Sequence, residues 1–119
     1  MILIDINKLL AQTLNSDEIL NLTADKKVYF LHANNPKIPY IEYEVISETG
    51  DEFSEGKEDY TKYLVQIDIF DTGNYTKLAK TIKEKMISTG FNRDQAVDLY
   101  EDKKKLNHKA MRFNISLPY

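Results

Sequence analysis

The chain has 119 residues, of which 42% are hydrophobic, and a formal charge of −3 at pH 7. A single domain of this size buries roughly two thirds of the surface that its unfolded chain exposes, so it can form a core without cross-links. The chain has no cysteine, which excludes disulfides, thiolate metal sites and a cysteine nucleophile, and its acidic balance argues against a dedicated nucleic-acid binder.

The beginning of the chain does not have the pattern of a targeting segment. Residues 1–6 contain neither a basic leader nor a long apolar core, and no apolar run approaches the roughly 20 residues that a membrane span needs. We therefore expect a soluble protein that is not secreted, in agreement with a chain that lacks cysteine.

The first third of the chain predicts two helices and a short strand. Asp5 can cap a helix whose apolar residues recur at helical spacing. These apolar residues are Ile6, Leu9, Leu10 and Leu14. Ser16 can cap a second, shorter helix, after which residues 28–31 form a strand and residues 34–39, with two prolines, form a loop.

Two segments, residues 40–47 and residues 60–71, alternate apolar and polar side chains with the period of a strand. Between them, residues 48–59 are strongly acidic and contain a single lysine. We expect a long hairpin loop here, and loops of this length in compact domains tend to be functional or disordered. Its acidic residues are Glu48, Asp51, Glu52, Glu55, Glu58 and Asp59.

The second half of the chain predicts a helix packed on a sheet. From Tyr75 to Met86 apolar residues recur at helical spacing, and Gly90 ends the helix. Residues 96–101 and 107–117 form a closing hairpin whose second strand has one apolar side. The helix-on-sheet contact is expected to contain Ile67, Ile69, Leu78, Ile82, Phe113 and Ile115.

This order of elements indicates a single α+β domain over residues 1–119. We expect a mostly antiparallel sheet of four to five strands. The N-terminal helices and the one central amphipathic helix are expected to pack on one face of that sheet.

The sequence contains no recognisable catalytic motif. His32 and His108 are the two histidines, and neither has a carboxylate or a second histidine at a spacing typical of a metal site. We interpret them as solvent-facing or partly buried structural residues. Glu42 and Glu44 project from one strand face, as a glycosidase pair might, but a solvated strand face is the simpler interpretation. The acidic loop lacks the spacing of a calcium site, and we predict a protein that is not an enzyme and has no metal or cofactor.

The central helix carries four lysines that form a candidate basic face for subunit contacts: Lys77, Lys80, Lys83 and Lys85. A solubilising surface is the ordinary interpretation of such a pattern. The lysines can also pair with the acidic loop of a neighbouring subunit, which would orient head-to-tail association around a ring. This hypothesis predicts that self-association is sensitive to salt.

Several phrases of the chain occur in an order that matches a known family. They are residues 38–45 (Ile-Pro-Tyr-Ile-Glu-Tyr-Glu-Val), 63–70 (Tyr-Leu-Val-Gln-Ile-Asp-Ile-Phe), the helix 75–86, Gly90-Phe91, 98–101 (Asp-Leu-Tyr-Glu) and 108–115 (His-Lys-Ala-Met-Arg-Phe-Asn-Ile). With the variable polar segment between the first two, they resemble the tail-terminator, or tail-completion, proteins of long-tailed bacteriophages. The resemblance rests on a pattern of strands and short phrases and not on a catalytic signature.

The resemblance implies a phage or prophage structural protein that forms a homohexameric ring on the head-proximal end of the tail tube. Such a ring stops tail polymerisation and joins the tail to the filled head. The implied partners are other copies of the chain, the tail tube protein and a head connector or stopper protein, with DNA only as passing cargo and no membrane. The implied location is the virion tail, assembled in the cytoplasm of the bacterial host.

The same resemblance suggests a role for the acidic loop, residues 48–59. A lumen through which DNA passes works best when it repels phosphate, so we expect the loop to reach toward the tube or its lumen. Two alternatives stay open. One is a neighbouring head-to-tail connector component such as a stopper, and the other is a small acidic regulatory or immunity-like protein that binds a basic partner.

Overall fold

The computed structural model describes residues 5–118 and has the α+β fold that the sequence predicts. The helices are α1 (Ile6–Leu14), α2 (Asp17–Leu20) and α3 (Thr76–Thr89). The strands are β1 (Tyr29–Phe30), β2 (Tyr40–Ser54), β3 (Lys57–Asp71), β4 (Asn92–Glu101) and β5 (Leu106–Pro118). They form one sheet in the order β1-β2-β3-β5-β4. The short β1 runs parallel to β2, and every other neighbouring pair in this order is antiparallel.

Local sequence signals explain where most of the helices begin and end. The Asp5 carboxylate accepts hydrogen bonds from the backbone N–H groups of Asn7 and Lys8, which is the predicted cap of α1. Gly90 ends α3 in the left-handed conformation at a φ of 114°, where a residue without a Cβ has no steric penalty. Ser16 occupies the cap position of α2, but its buried hydroxyl has no hydrogen-bond partner among the described residues, so the prediction of a side-chain cap is wrong.

The main core lies between the helices and one face of the sheet. The expected contact is confirmed, since Ile67, Ile69, Leu78, Ile82, Phe113 and Ile115 are all buried in one apolar cluster. Leu10, Leu14 and Ile19 join it from α1 and α2. The side chains of β5 divide between the two faces as predicted, with Met111 and Phe113 toward the helices. The opposite face of the sheet has no helix packed on it in the described part of the chain.

The prediction of a long acidic loop is wrong, because residues 48–59 form the ends of two strands and the tight turn between them. Strands β2 and β3 each run for 15 residues and are joined only by Glu55 and Gly56, both at positive φ. Positive φ at both central residues is the signature of a tight hairpin turn whose twist matches the strands. The periodicity signal failed because these strand ends are exposed, and a strand with no buried face needs no alternation of apolar residues.

Two further strand boundaries differ from the prediction. Strand β1 has two residues instead of four because Leu31 adopts a φ of 65°, which turns the chain out of the extended conformation. Strand β4 begins at Asn92, before the predicted start at residue 96, and its register shifts between Arg93 and Ala96. This irregularity interrupts the alternation of side chains, so a period-two pattern does not predict the first part of the strand.

The molecule is elongated, with extents of 51 × 28 × 24 Å. The sheet loses strands toward one end, and this narrow end accounts for the long dimension. Strand β4 pairs with β5 only as far as Asn114, and β5 pairs with β3 only as far as Tyr60. Beyond Tyr60 only β2 and β3 continue, and residues 52–59 form a two-stranded ribbon. We call residues 47–61, which are this ribbon and the adjoining end of the three-stranded part, the hairpin arm.

Candidate interaction surfaces

The hairpin arm carries all six acidic residues that the sequence predicts as a binding loop. Glu48, Asp51, Glu58 and Asp59 lie along its strands, while Glu52 and Glu55 lie at its end. The Asp51 carboxylate accepts a hydrogen bond of 2.6 Å from the Ser116 hydroxyl, which ties the arm to the last strand. Most residues of the arm are exposed, and Asp51, Glu58 and Thr61 are partly buried. An isolated two-stranded ribbon is at best marginally stable in water, so contact with a partner surface would stabilise the arm.

The end of the arm exposes an aromatic ring. Phe53 is 64% exposed, which is the highest value among the exposed large apolar residues of the described chain. Its ring lies across Gly50, where an added Cβ would come within 2.4 Å of the Phe53 Cζ atom. Glu52 and Glu55 flank the ring along the chain. The arm therefore ends in one apolar group between carboxylates.

The four lysines of the predicted basic face do not share one environment. Lys77 and Lys85 line a groove between α2 and α3, together with Glu18 and Glu84. The Lys85 Nζ atom lies 4.0 Å from a Glu18 oxygen, and Lys80 forms a 4.0 Å pair with Glu84 on its own helix. Lys83 lies outside this groove lining. The basic surface is therefore partly neutralised by neighbouring glutamates.

The sheet face without helices carries a polar cluster centred on His108. Its Nε2 atom lies 2.7 Å from the Asp68 Oδ1 atom, and its Nδ1 atom lies 3.0 Å from the Glu101 Oε1 atom. Asp68 and His108 are only 6% and 9% exposed. The three residues come from β3, β5 and β4, so the cluster links three neighbouring strands.

The imidazole ring of His108 is also packed between strands. It stacks on Phe70 at a centroid distance of 4.3 Å, and Phe70 stacks on Tyr40 at 4.8 Å. Tyr40 and Phe70 form a second small core with Ala33 and Leu106. Burial, followed by the charges of Glu42 and Glu101, raises the pKa of Tyr40 to about 12. This packing fits the interpretation of His108 as a partly buried structural residue.

Glu42 and Glu44 lie on the same face of β2, as predicted, but in different surroundings. A Glu42 oxygen accepts a 2.7 Å hydrogen bond from the Ala33 backbone N–H and lies 3.7 Å from the exposed His32 ring. Burial raises the pKa of the Glu44 carboxyl, and the charges of Asp68 and Glu42 raise it further. Glu42 thus binds the backbone ahead of β2, whereas Glu44 lies partly buried near Asp68.

A small groove lies on this sheet face beside the cluster, lined by residues of β4 and β5, including His108, and by Gln66 of β3. Its volume is about 260 Å³. Val97, Leu99 and Ala110 give it an apolar lining, and Gln66, Gln95 and Arg112 surround them with polar groups. The Arg112 Nε–H donates a 2.9 Å hydrogen bond to the Gln66 side-chain oxygen. We call this feature the β4–β5 groove.

Comparison with known proteins adds no family to this description, since neither the family models nor the curated proteins give a match. Among residues 5–118, no helix is both long and apolar enough to cross a membrane. The same residues contain no group of three or more histidine, aspartate or glutamate side chains arranged to hold a metal ion. The geometry of the surfaces is therefore the basis for assigning a function.

Sequence reasoning missed three of these features: the His108 cluster, the exposed Phe53 and the β4–β5 groove. Asp68 and His108 are 40 positions apart, and only the pairing of β3 with β5 brings them together. Their positions on the polar side of two alternating strands were the available signal. For Phe53 the signal was a single aromatic residue inside an acidic segment.

Proposed function

We propose that this protein is a tail-terminator component of a long-tailed phage or prophage, which forms a ring on the head-proximal end of the tail tube and joins the tail to the head. The observation that carries the proposal is the hairpin arm. Its residues 52–59 extend beyond the rest of the sheet, and the arm is mostly exposed, is acidic and carries an exposed aromatic ring near its end. Such an arm is suited to reach a neighbouring molecule.

The remaining features support a binding role. The α+β fold with helices on one face of a mostly antiparallel sheet is the fold that the family resemblance implies. The titratable side chains with perturbed surroundings, such as Glu44 and Tyr40, belong to the packing of the sheet. In the proposed ring, acidic residues along the arm, such as Glu48, Glu58 and Asp59, face the tube or its lumen. There they discourage the phosphates of passing DNA from binding.

The proposal predicts self-association through surfaces of opposite charge. We would measure sedimentation of the purified protein at increasing ionic strength, with a variant in which all six arm acids are replaced by their amides. The native chain should associate at low salt and dissociate as salt screens the contact, and the amide variant should associate more weakly at every salt concentration. Circular dichroism serves as the control, because exposed arm residues should leave the fold unchanged.

The regulatory or immunity-like alternative predicts a different result in the same experiment. A protein that uses the arm to bind a basic partner would stay monomeric alone and form a one-to-one complex with that partner. Self-association that does not respond to ionic strength or to the amide variant would contradict the charge-directed assembly proposed here.

A further inference from the structure

We infer that the end of the hairpin arm of one copy docks in the β4–β5 groove of a second copy, with the Phe53 ring between Val97 and Leu99 and the flanking carboxylates beside Arg112. This inference rests on the proposed function and names the contact that would build the ring. The occupant of the groove is a second copy of this chain.

The volume of the β4–β5 groove matches that of a single large side chain. Small-molecule sites usually occupy roughly 300–1,000 Å³, and the groove has about 260 Å³. This volume suits one large side chain better than a ligand. Val97 and Leu99 are both large apolar residues left exposed on the sheet surface. Phe53 is the complementary group, since it is the most exposed of the large apolar residues in the described chain.

Arg112 places a positive charge at the groove. No carboxylate of a described residue lies within 4.0 Å of the Arg112 guanidinium, whose Nε–H instead donates to Gln66. The carboxylates of Asp68 and Glu101, on the same sheet face, are both engaged by His108. Burial raises the pKa of the nearby Glu44 carboxyl and the charge of Arg112 offsets part of that shift, but Glu44 forms no salt bridge with Arg112. The Arg112 guanidinium therefore remains open to an incoming carboxylate. Glu52 and Glu55, on either side of Phe53, bring such carboxylates with the ring.

The end of the arm is too far from the groove of its own chain to dock there. Gln66 lines the groove and Lys57 is next to the turn of the arm, and both lie on β3. Nine residues of a strand span about 30 Å, so the arm points away from the groove of its own chain. The contact must therefore form between copies. Two different surfaces that meet head to tail produce a closed ring when the rotation between copies closes, which agrees with the proposed assembly.

The lysine groove between α2 and α3 fits the arm less well. Of its two lysines, Lys85 already lies 4.0 Å from a Glu18 oxygen, and Lys77 shares the groove with Glu84. Leu22 is the one large apolar side chain of that groove, and it is packed against the main core. The β4–β5 groove instead combines an apolar lining with an arginine that has no described carboxylate partner.

Disulfide cross-linking between single-cysteine variants tests the contact directly, because the native chain contains no cysteine. S54C places a thiol at the end of the arm, Q95C places one at the β4–β5 groove, and S88C places one at the α2–α3 groove. Each variant is oxidised alone and in pairwise mixtures. We expect a mixed disulfide between S54C and Q95C, and none between S54C and S88C above the background of each variant alone.

Association measurements provide an independent readout. F53A and R112Q should each weaken self-association by about tenfold or more, as expected for an anchor residue and its charged partner. F30A is the matched control, since Phe30 is also exposed but lies at the opposite edge of the sheet. It should leave association unchanged. Circular dichroism confirms that each variant is folded.

The outcomes separate this inference from the proposed function. A ring in which S54C cross-links to S88C overturns the inference, leaves the proposed function standing and makes the lysine surface the docking site. Cross-linking of S54C to Q95C in an oligomer that is not a ring supports the inference and contradicts the ring. A protein that never self-associates contradicts both.

Discussion

His108 bridges Asp68 and Glu101, with its Nε2 atom 2.7 Å from Asp68 and its Nδ1 atom 3.0 Å from Glu101. The Asp68 side chain is buried, whereas that of Glu101 is 46% exposed. The bond to Asp68 is therefore the one that compensates a desolvated charge. Removal of the imidazole leaves the Asp68 carboxylate with the 2.9 Å hydrogen bond from the Gln66 side-chain amide. A buried acceptor that loses a partner usually costs more than the hydrogen bond itself contributes.

We predict that His108→Ala destabilises the fold by about 1–3 kcal/mol, the range expected when a buried acceptor loses a hydrogen-bond partner. Glu101→Gln is the matched control. Water solvates much of its side chain, so it should cost less than about 1 kcal/mol. Urea unfolding followed by circular dichroism measures both values. Equal costs for the two variants would show that the bond to Asp68 has no special role.

Phe113 is completely buried between α3 and the sheet. Phe113→Ala should lower the free energy of unfolding by about 3–5 kcal/mol, because it removes apolar contacts and leaves a cavity. Phe53→Ala, at the exposed end of the arm, should leave it nearly unchanged. Thermal unfolding of the two variants provides the comparison. A stable Phe113→Ala protein would contradict the assignment of this strand face to the core.

Glu44 provides a pH-dependent prediction. Its pKa is raised in the folded protein, mainly by burial and then by Asp68 and Glu42, so folding disfavours the ionised carboxyl. The cost is present at neutral pH and is relieved as pH falls through the folded-state pKa toward the unfolded value. Glu44→Gln should therefore stabilise the protein at pH 7, by less than about 1 kcal/mol because the carboxyl is only partly buried and water screens its interactions. The gain should vanish in acid.

Unfolding curves at several pH values test the Glu44 prediction, with Glu48→Gln as the control. Glu48 is an exposed acid on the same strand, and its replacement should give no comparable gain at pH 7. A destabilised Glu44→Gln protein at pH 7 would mean that the carboxylate makes a favourable contact.

The opposite shift occurs at Asp98. The hydroxyl of Tyr75 donates a 2.6 Å hydrogen bond to Asp98, and Lys109 donates one of 3.2 Å. These bonds hold the pKa of Asp98 below its usual value, with the bond from Tyr75 as the largest cause. Tyr75→Phe should raise the pKa of Asp98, as measured by NMR titration of its carboxyl carbon. An unchanged titration would show that the hydroxyl does not reach Asp98 in solution.

Glu55 has a φ of 53° in the turn of the arm, a conformation that costs most residues other than glycine and asparagine roughly 1–2 kcal/mol. Glu55→Asn should therefore slow hydrogen exchange at the arm amides, because Asn-Gly is the preferred pair for this turn. Glu55→Gln removes the same charge without the conformational preference, and it should not slow exchange. Faster exchange in Glu55→Asn would contradict the turn geometry.

The fold was more predictable from the sequence than the surfaces were. Buried elements such as α3 and the second strand of the closing hairpin have strong periodicity, because one face must be apolar. The ends of β2 and β3 have no such periodicity, since neither of their faces is buried. Their acidic sequence therefore predicts a loop where the structure has the hairpin arm. Contacts such as Asp68 with His108 and grooves such as that beside Val97 depend on strand order and register, which periodicity does not determine.

The most direct test of the account is native mass spectrometry combined with negative-stain imaging of the native chain over a range of concentration and salt. We predict particles with the mass of six subunits and a sixfold outline around an open centre, favoured by low salt. A strict monomer or a closed dimer at every concentration and ionic strength would contradict the proposed ring.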